Sequence, residues 1–406
     1  MAQAKKDIPE NIGPLTGIRA LDFGMAAVGP VTMTHLALLG ADVIKIESPR
    51  GDIVRSGANS TIKGMGFSFV GNNLNKRAIV LDLKSDADRE IALKLIATVD
   101  VALDNFRSGE IMERLGLGWD VVSKVNPRLI YLQSSAYGSV GPMDGMLSHE
   151  WFTQAAAGHA SVSGKPGGLP QILRGSAHLD WNGAMVNVIG ILMALHAREK
   201  SGRGVFMQTS QFQSTITAGF TRWAEFFTSG KAPEPMGSAR GNIVPDQAFE
   251  TAFGHVSVSV LNNGIWARFC QAMESPELLS DPRFVTNEKR VENRDELIPL
   301  LEEKFKRTSA WHWLRTFRRH GVPSGEYFEG KPRSHVALEH PQVRAINTMT
   351  VIDSPWGPLN TSNGFLRFSK TPTRINRSPP LLDEHRDEVL EEMDRLWASA
   401  RAEAGD

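Results

Sequence analysis

The feature that most constrains the fold is an alternation of short, almost continuously apolar runs with helical patterns across residues 17–135. Ile18-Arg19-Ala20-Leu21-Asp22-Phe23 reads as a first buried strand and Asp42-Val43-Ile44-Lys45-Ile46-Glu47 as a second. Between them Gly29-Pro30 starts a helix, proline being tolerated in a first turn, and Gly40 caps its end. Ala78-Ile79-Val80-Leu81-Asp82-Leu83, Val99-Asp100-Val101-Ala102-Leu103 and Leu129-Ile130-Tyr131-Leu132 continue the strands, and residues 86–98 supply an intervening helix. Largely apolar strands alternating with helices predict an α/β fold with a parallel sheet covered on both faces.

From residue 228 the texture changes. Glycine, proline and polar residues dominate to residue 246. His255-Val256-Ser257-Val258-Ser259-Val260 then alternates like a strand with one wet face. Helical patterns follow at 297–305 and 310–319. These boundaries predict a first domain segment over 1–227, a smaller α+β domain over 228–333 and a closing segment over 334–406. The chain ends in an acidic amphipathic helix at 383–397 whose apolar face (Val389, Leu390, Met393, Trp397) needs a partner.

Composition removes several function classes. Lysine plus arginine equals aspartate plus glutamate, 45 each, so no net basic field points to nucleic acid. Cys270 is the only cysteine, which rules out an intrachain disulfide and a cysteine metal cluster and fits a reducing cytoplasm. The N-terminal residues lack the apolar core of a leader. The apolar run over 184–195, interrupted by Asn187, is too short to span a bilayer. We therefore expect a cytoplasmic protein with no membrane, nucleic-acid or metal partner.

A βαβ opening whose second strand ends in Glu47 invites a dinucleotide reading. The first loop, Gly24-Met25-Ala26-Ala27-Val28-Gly29-Pro30, lacks the glycine spacing that brings backbone against a pyrophosphate. A second candidate is Asp180, at the mouth of a long apolar helix that runs on to Gly202-Arg203-Gly204. Free N–H groups and the helix dipole favour a charged carboxylate there. Residue type and position leave two readings open, a helix N-cap or an ionised nucleophile.

Several segments together resemble the class III coenzyme A-transferases, the formyl-CoA and carnitine-CoA transferase type. They are Leu21-Asp22-Phe23 with Gly29-Pro30, Leu39-Gly40-Ala41-Asp42 running to Glu47, Asn75-Lys76-Arg77, Asn105-Phe106-Arg107 with Arg114-Leu115-Gly116, and Asn126-Pro127-Arg128. Tyr137-Gly138 with Gly141-Pro142, Gly190-Ile191-Leu192, Gly202-Arg203-Gly204 and Pro380-Leu381-Leu382-Asp383-Glu384-His385 follow in order. The resemblance spans 17 to about 393, and its specificity lies in order and spacing rather than in any one motif. It implies a Rossmann-like large domain formed by both chain ends, the smaller α+β domain inserted between them, and two subunits interlocked as linked rings.

It also implies a site. Asp180 falls at the family's nucleophilic aspartate, ten residues before Gly190. Ala26, Ala27 and Val28 fall on the loop that touches CoA beside the thioester; Met25 stands where the family often has histidine or arginine. Asn105, Phe106 and Arg107 form the next CoA-contact segment, with Phe106 placed to stack on adenine or to pack in the core. Ser48 and Arg50 follow the second strand, Lys76 and Arg114 are candidates for phosphate contact or solvated surface charges, and Tyr137 matches an aromatic near the active site. Some members close the site with a run of glycines, which this chain lacks; Asn262-Asn263-Gly264 and Gly237-Ser238-Ala239-Arg240-Gly241 are the nearest substitutes. Coenzyme A enters as substrate thioester, with a free carboxylic acid as partner.

Two alternatives share the fold. A 2-methylacyl-CoA racemase reading pairs His149 with Asp180 as opposed acid–base groups, but Ser148 and Glu150 flank the histidine where racemases have glycine and aspartate. The other is a non-catalytic paralogue in a heteromer; the transferase itself is expected as a homodimer or a heteromer. For the acid, Trp151, Phe152, Trp181, Trp223, Phe226 and Phe227 suit an aryl group and Arg222 or Arg240 a second carboxylate. A dicarboxylic or aryl-substituted acid with succinyl-CoA as donor is the expectation.

Overall fold

The computed structural model describes residues 13–56, 62, 64–175, 177–327 and 333–404. Residues 1–12, read above as too polar for a leader, lie outside the described residues. The chain divides into two compact units, one of residues 1–158, 174–220 and 341–406 and the other of 159–173 and 221–340.

The first unit is built on six parallel strands, β1 (Arg19–Asp22), β2 (Asp42–Glu47), β3 (Arg77–Val80), β4 (Val101–Asp104), β5 (Ile130–Ser135) and β6 (Val205–Ser210), in spatial order 3-2-1-4-5-6. This is the doubly wound Rossmann order, whose direction reverses between β1 and β4. Successive residues point to opposite faces of a strand. Ala20, Val43, Val101 and Ile130 therefore enter one core, which the first helix (Val28–Leu38) and the long helix (His178–Ser201) cover with Met33, Leu36, Val188 and Ile191. Leu21, Ile44, Ala102 and Tyr131 enter the other, covered by helix Asp86–Ala97 and by Val389 and Met393 of the C-terminal helix. That is where the acidic tail's apolar face finds its partner.

Two local features carry the design. The long helix ends at Gly202 with φ 69°, and a Cβ at Gly204 would lie 2.0 Å from the Leu129 carbonyl oxygen, so only glycine lets β6 pass this close to β5. The tail helix starts at Arg386 rather than at 383 because Asp383 takes φ 60° and its carboxylate accepts from the Val80 N–H at 2.7 Å, tying the tail to β3.

A hairpin, β10 (Met349–Ile352) with β11 (Leu359–Ser362), belongs to the same unit. The second unit has a three-stranded antiparallel sheet, β7 (Asp246–Glu250), β8 (His255–Ser259) and β9 (Ser324–Glu326). Its core joins Phe249, Val256 and Val258 to Trp266, Phe269, Phe305 and Phe317 from the packed helices.

No helix among the described residues is long and apolar enough to cross a membrane. Much of the long helix is apolar on its outer side too: Trp181, Ile189 and Met193 are exposed.

Candidate active site

The carboxyl ends of β1, β2 and β4 carry loops held by a dense polar lattice. Asn105, directly after β4, accepts from the Met25 N–H at 2.7 Å and donates to the Met25 carbonyl at 2.9 Å. Ala26 sits at φ 63°, a costly conformation for a residue with a Cβ. Three contacts hold it there: Asp52 accepts from its N–H at 3.1 Å, Asn72 donates to its carbonyl at 2.9 Å, and Lys45 Nζ donates to the Gly24 carbonyl at 2.8 Å. A Cβ on Gly29 would lie 2.9 Å from Leu103 Cδ2 and 3.2 Å from the Gly24 Cα, so the helix start packs closely on this loop.

Beyond these strand ends opens a crevice of about 180 Å³ lined by Phe23, Met25, Ser48, Leu81, Phe106 and Leu115. Ligands of open α/β sheets bind at the carboxyl ends of strands, near the switch in strand order. A larger cleft of about 640 Å³ beside β4–β6 is rimmed by Glu110, Glu113, Asp120 and Asp144. That rim is acidic throughout, whereas the smaller crevice is mostly apolar and mixes Glu47, Asp52 and Asp82 with Lys45 and Lys84.

The expected contact residues separate on inspection. Ser48, Phe106 and the Met25 loop meet in this crevice. Arg107 and Arg114 are exposed, Arg114 lying 3.9 Å from Glu110. Lys76 is a correction. It is neither a phosphate ligand nor a surface charge, being fully buried and donating to Asp22 Oδ2 (2.7 Å), the Pro30 carbonyl (2.8 Å), Asn73 Oδ1 (2.9 Å) and the Asn72 carbonyl (3.1 Å). Glu47 is likewise spent, paired with Arg55 at 2.6 Å and accepting from the Asp52 N–H at 2.9 Å. Both Glu47 oxygens are therefore engaged within the protein.

Asp180 is the third residue of the long helix and does not cap it. The N-cap is Ala177, with no side-chain bond. Instead the buried Glu150 carboxylate reaches across from helix Glu150–Ala156 and accepts from the Leu179 N–H at 3.3 Å, from Gln154 Nε2 at 3.0 Å, and lies 3.2 Å from His178 Nδ1. Asp180 Oδ1 accepts from Gln211 Nε2, the first residue after β6. Burial and then the neighbouring Glu150 charge push the Asp180 carboxyl up to about 7, against the Gln211 bond. The helix start was expected to favour the charged form; burial and a like charge outweigh it. Val28, from the expected CoA loop, lies against the same helix, 3.5 Å from where a Cβ on Gly183 would sit.

His149 caps helix Glu150–Ala156, its Nδ1 accepting from the Trp151 N–H at 3.3 Å, and its ring stacks on Phe152 at 4.0 Å. Ser148 Oγ is 3.0 Å from the Tyr137 hydroxyl. Arg222 and Arg240 lie in the second unit and pair with Glu225 (2.8 Å) and Asp246 (3.4 Å). Arg174, which sequence reasoning passed over, stands 3.9 Å over the Trp151 ring. Glu150 and Gln211 were missed as partners of Asp180 because they are 30 and 31 residues away in the chain. Among the described residues no cluster of His, Cys, Asp and Glu suits a metal ion.

Comparison with known proteins adds a consistent frame. A family model described as CoA-transferase family III matches residues 15–386. The acetyl-CoA:oxalate CoA-transferase of Acetobacter aceti is 35% identical over 77% of this chain and 80% of its own length. Human succinyl-CoA:glutarate CoA-transferase is 30% identical over 94% of this chain and 86% of its own. The crystal structure of a CAIB/BAIF family protein from Brucella suis superposes with a TM-score of 0.82 at 30% identity, covering 95% of this chain and all of that one.

Proposed function

The chain belongs to CoA-transferase family III, and on that premise we propose that it moves CoA from an acyl-CoA donor to a free dicarboxylic acid through covalent intermediates on Asp180. The carrying observation is the environment of that carboxyl. It is the carboxyl at the site pushed up to about 7, which leaves it both ionisable and nucleophilic near neutral pH.

An Asp180 oxygen attacks the thioester carbonyl carbon; the new C–O bond forms, the C–S bond breaks, and CoA leaves as thiolate. The product is a mixed anhydride. The thiolate then attacks the Asp180 carbonyl carbon, forming an aspartyl thioester and releasing the donor acid. The acceptor carboxylate attacks this thioester, and the returning thiolate attacks the acceptor's carbonyl, regenerating the aspartate. Thioester energy is conserved throughout, so the exchange needs no ATP.

The crevice at the strand ends supplies the base-binding surface in this reading, with Phe106 and Met25 against the ring and Ser48 beside it. Ala26, Ala27 and Val28 run from there toward the long helix, and phosphate contact is assigned to Arg107 and Arg114 in this reading because both are exposed. Asn105 acts through the Met25 loop it holds, and Tyr137 through Ser148, next to His149. For the acceptor, Arg174 over Trp151 offers a cation on the segment entering the long helix. A dicarboxylate is favoured over an aryl acid because two relatives are named for oxalate and glutarate. The exposed apolar side of the long helix supports a dimer, closed by a second copy of this chain.

The test is trapping with hydroxylamine during turnover followed by peptide mass analysis, together with Asp180→Asn. Modification at Asp180 and loss of labelled-CoA exchange between acids are expected. Full exchange by the variant would end the proposal. Exchange of an α proton with deuterated water without a second acid would point to the racemase reading instead.

A further inference from the structure

We propose that Gln211 is a catalytic positioning residue: its side-chain amide holds Oδ1 of Asp180, fixes which oxygen attacks, and stays on Oδ1 as the donor that stabilises the oxyanion formed there. The inference rests on the nucleophile reading above and assigns a task to a residue with no titratable group.

The geometry is a relay. Gln211 is buried at the junction where β6 turns into helix Gln211–Ala218. Ser210 caps that helix by accepting from the Gln213 N–H at 3.1 Å, which fixes the backbone. At the far end of the side chain, Nε2 donates to Asp180 Oδ1. At the same time Oε1 lies 3.1 Å from Thr153 Oγ1, whose single proton is shared with the Glu150 carbonyl at 2.8 Å. The amide is therefore contacted at both ends, the second time by a hydroxyl on the helix that also carries Glu150.

The chemistry needs such a donor twice. A carboxylate attacks through one oxygen, and holding Oδ1 leaves Oδ2 as the nucleophile. Once Oδ2 is acylated, Oδ1 is the carbonyl oxygen. Thiolate attack on that carbon breaks the C=O π bond and places the electron pair on Oδ1, where the Nε2–H already points. Collapse expels the donor acid and restores C=O with the same bond intact. A neutral amide suits this better than a cation, because it stabilises the oxyanion without neutralising the nucleophile beforehand.

The charged group acting on Asp180 is Glu150 on helix Glu150–Ala156, which itself lies 3.2 Å from His178 Nδ1. Helix Gln211–Ala218 carries no titratable side chain, and on the first helix His35 stands against the Trp181 ring at 6.2 Å. None of these changes when Gln211 is replaced, so a change in the pH profile reports the amide.

The experiment compares wild type with Gln211→Met and Thr153→Val by labelled-CoA exchange across pH, with hydroxylamine trapping in parallel. Gln211→Met is expected to lower kcat by about 10²-fold, leave KM for acyl-CoA nearly unchanged, and move the acidic limb of kcat/KM to higher pH. Thr153→Val, which keeps the amide but frees its far end, gives a smaller change in the same direction and serves if Gln211→Met does not fold. Unchanged kcat and an unmoved acidic limb in a folded variant overturn the inference. Trapping at a residue other than Asp180 in the wild type overturns the nucleophile reading instead, so the two failures are distinguishable.

Discussion

Two clusters of buried and half-buried acids in the large unit follow opposite rules. Around the end of β1, Asp22 and Asp52 meet Lys45 and Lys76: Lys76 is 2.7 Å and Lys45 3.9 Å from Asp22, and Lys45 is 3.0 Å from Asp52. Burial alone would raise the Asp22 carboxyl, but the two ammonium groups outweigh it and hold it below its ordinary range. At the start of the long helix, Asp180 and Glu150 share a site in which, among the described residues, neither has a lysine or arginine ion pair. Their partners are amides, a backbone N–H and His178. The first cluster fixes a loop. In the second, with no such cation among the described residues, burial and the like charge hold the Asp180 carboxyl above its ordinary range.

The sharpest way to break that comparison is Lys76→Met. It leaves Asp22 buried with only the more distant Lys45. Breaking a buried pair on one side costs about 3–5 kcal/mol. The expected readout is a lower denaturant midpoint at unchanged m value. An unchanged midpoint would show that the lattice does not hold the loop.

Glu150→Gln tests the second cluster with a smaller effect. Removing the like charge lets the Asp180 carboxyl fall, so the acidic limb of kcat/KM moves to lower pH. It stays above the ordinary aspartate range, because burial is the larger cause and remains. A limb that does not move would assign the whole shift to burial.

Much of the scaffold was legible in the chain, and the reason is local. Ala20-Leu21, Val43-Ile44 and Ile130-Tyr131 are apolar on consecutive positions, as a strand covered on both faces requires. Gly202 and Gly204 mark a helix end and a close approach that only those residues allow. For the candidate site the chain offered an address rather than a mechanism. Asp180 stood out by its place at the start of an apolar helix, but its protonation state is set first by burial and then by Glu150 and Gln211, which the fold brings in from other elements. Lys76 shows the same limit: next to Asn75 and Arg77 it reads as a surface cation, and only the fold brings four acceptors around it, Asp22 at the end of β1, the Pro30 carbonyl of the first helix, and Asn72 and Asn73. Such many-body environments have no sequence period to betray them.

The smallest effect separates the clusters by stability rather than rate. In the unfolded chain an aspartate titrates near ~3.9, whereas folding raises Asp180 to about 7. Between those values the folded state keeps a proton that the unfolded state has released, so this group's contribution to stability falls as pH rises through that window and the cost is complete above 7. Asp180→Asn removes the titration while keeping an oxygen for the Gln211 amide. The melting temperature of the variant relative to wild type should therefore be higher at pH 8 than at pH 4, by a few degrees at most for a half-buried group. Asp22 carries the opposite sign, since its pairing favours the charged form and is lost on acidification. Equal melting differences for Asp180→Asn at the two pH values would mean that the helix-start carboxyl is not held out of its ordinary range, and the contrast between the two clusters would then rest on packing alone.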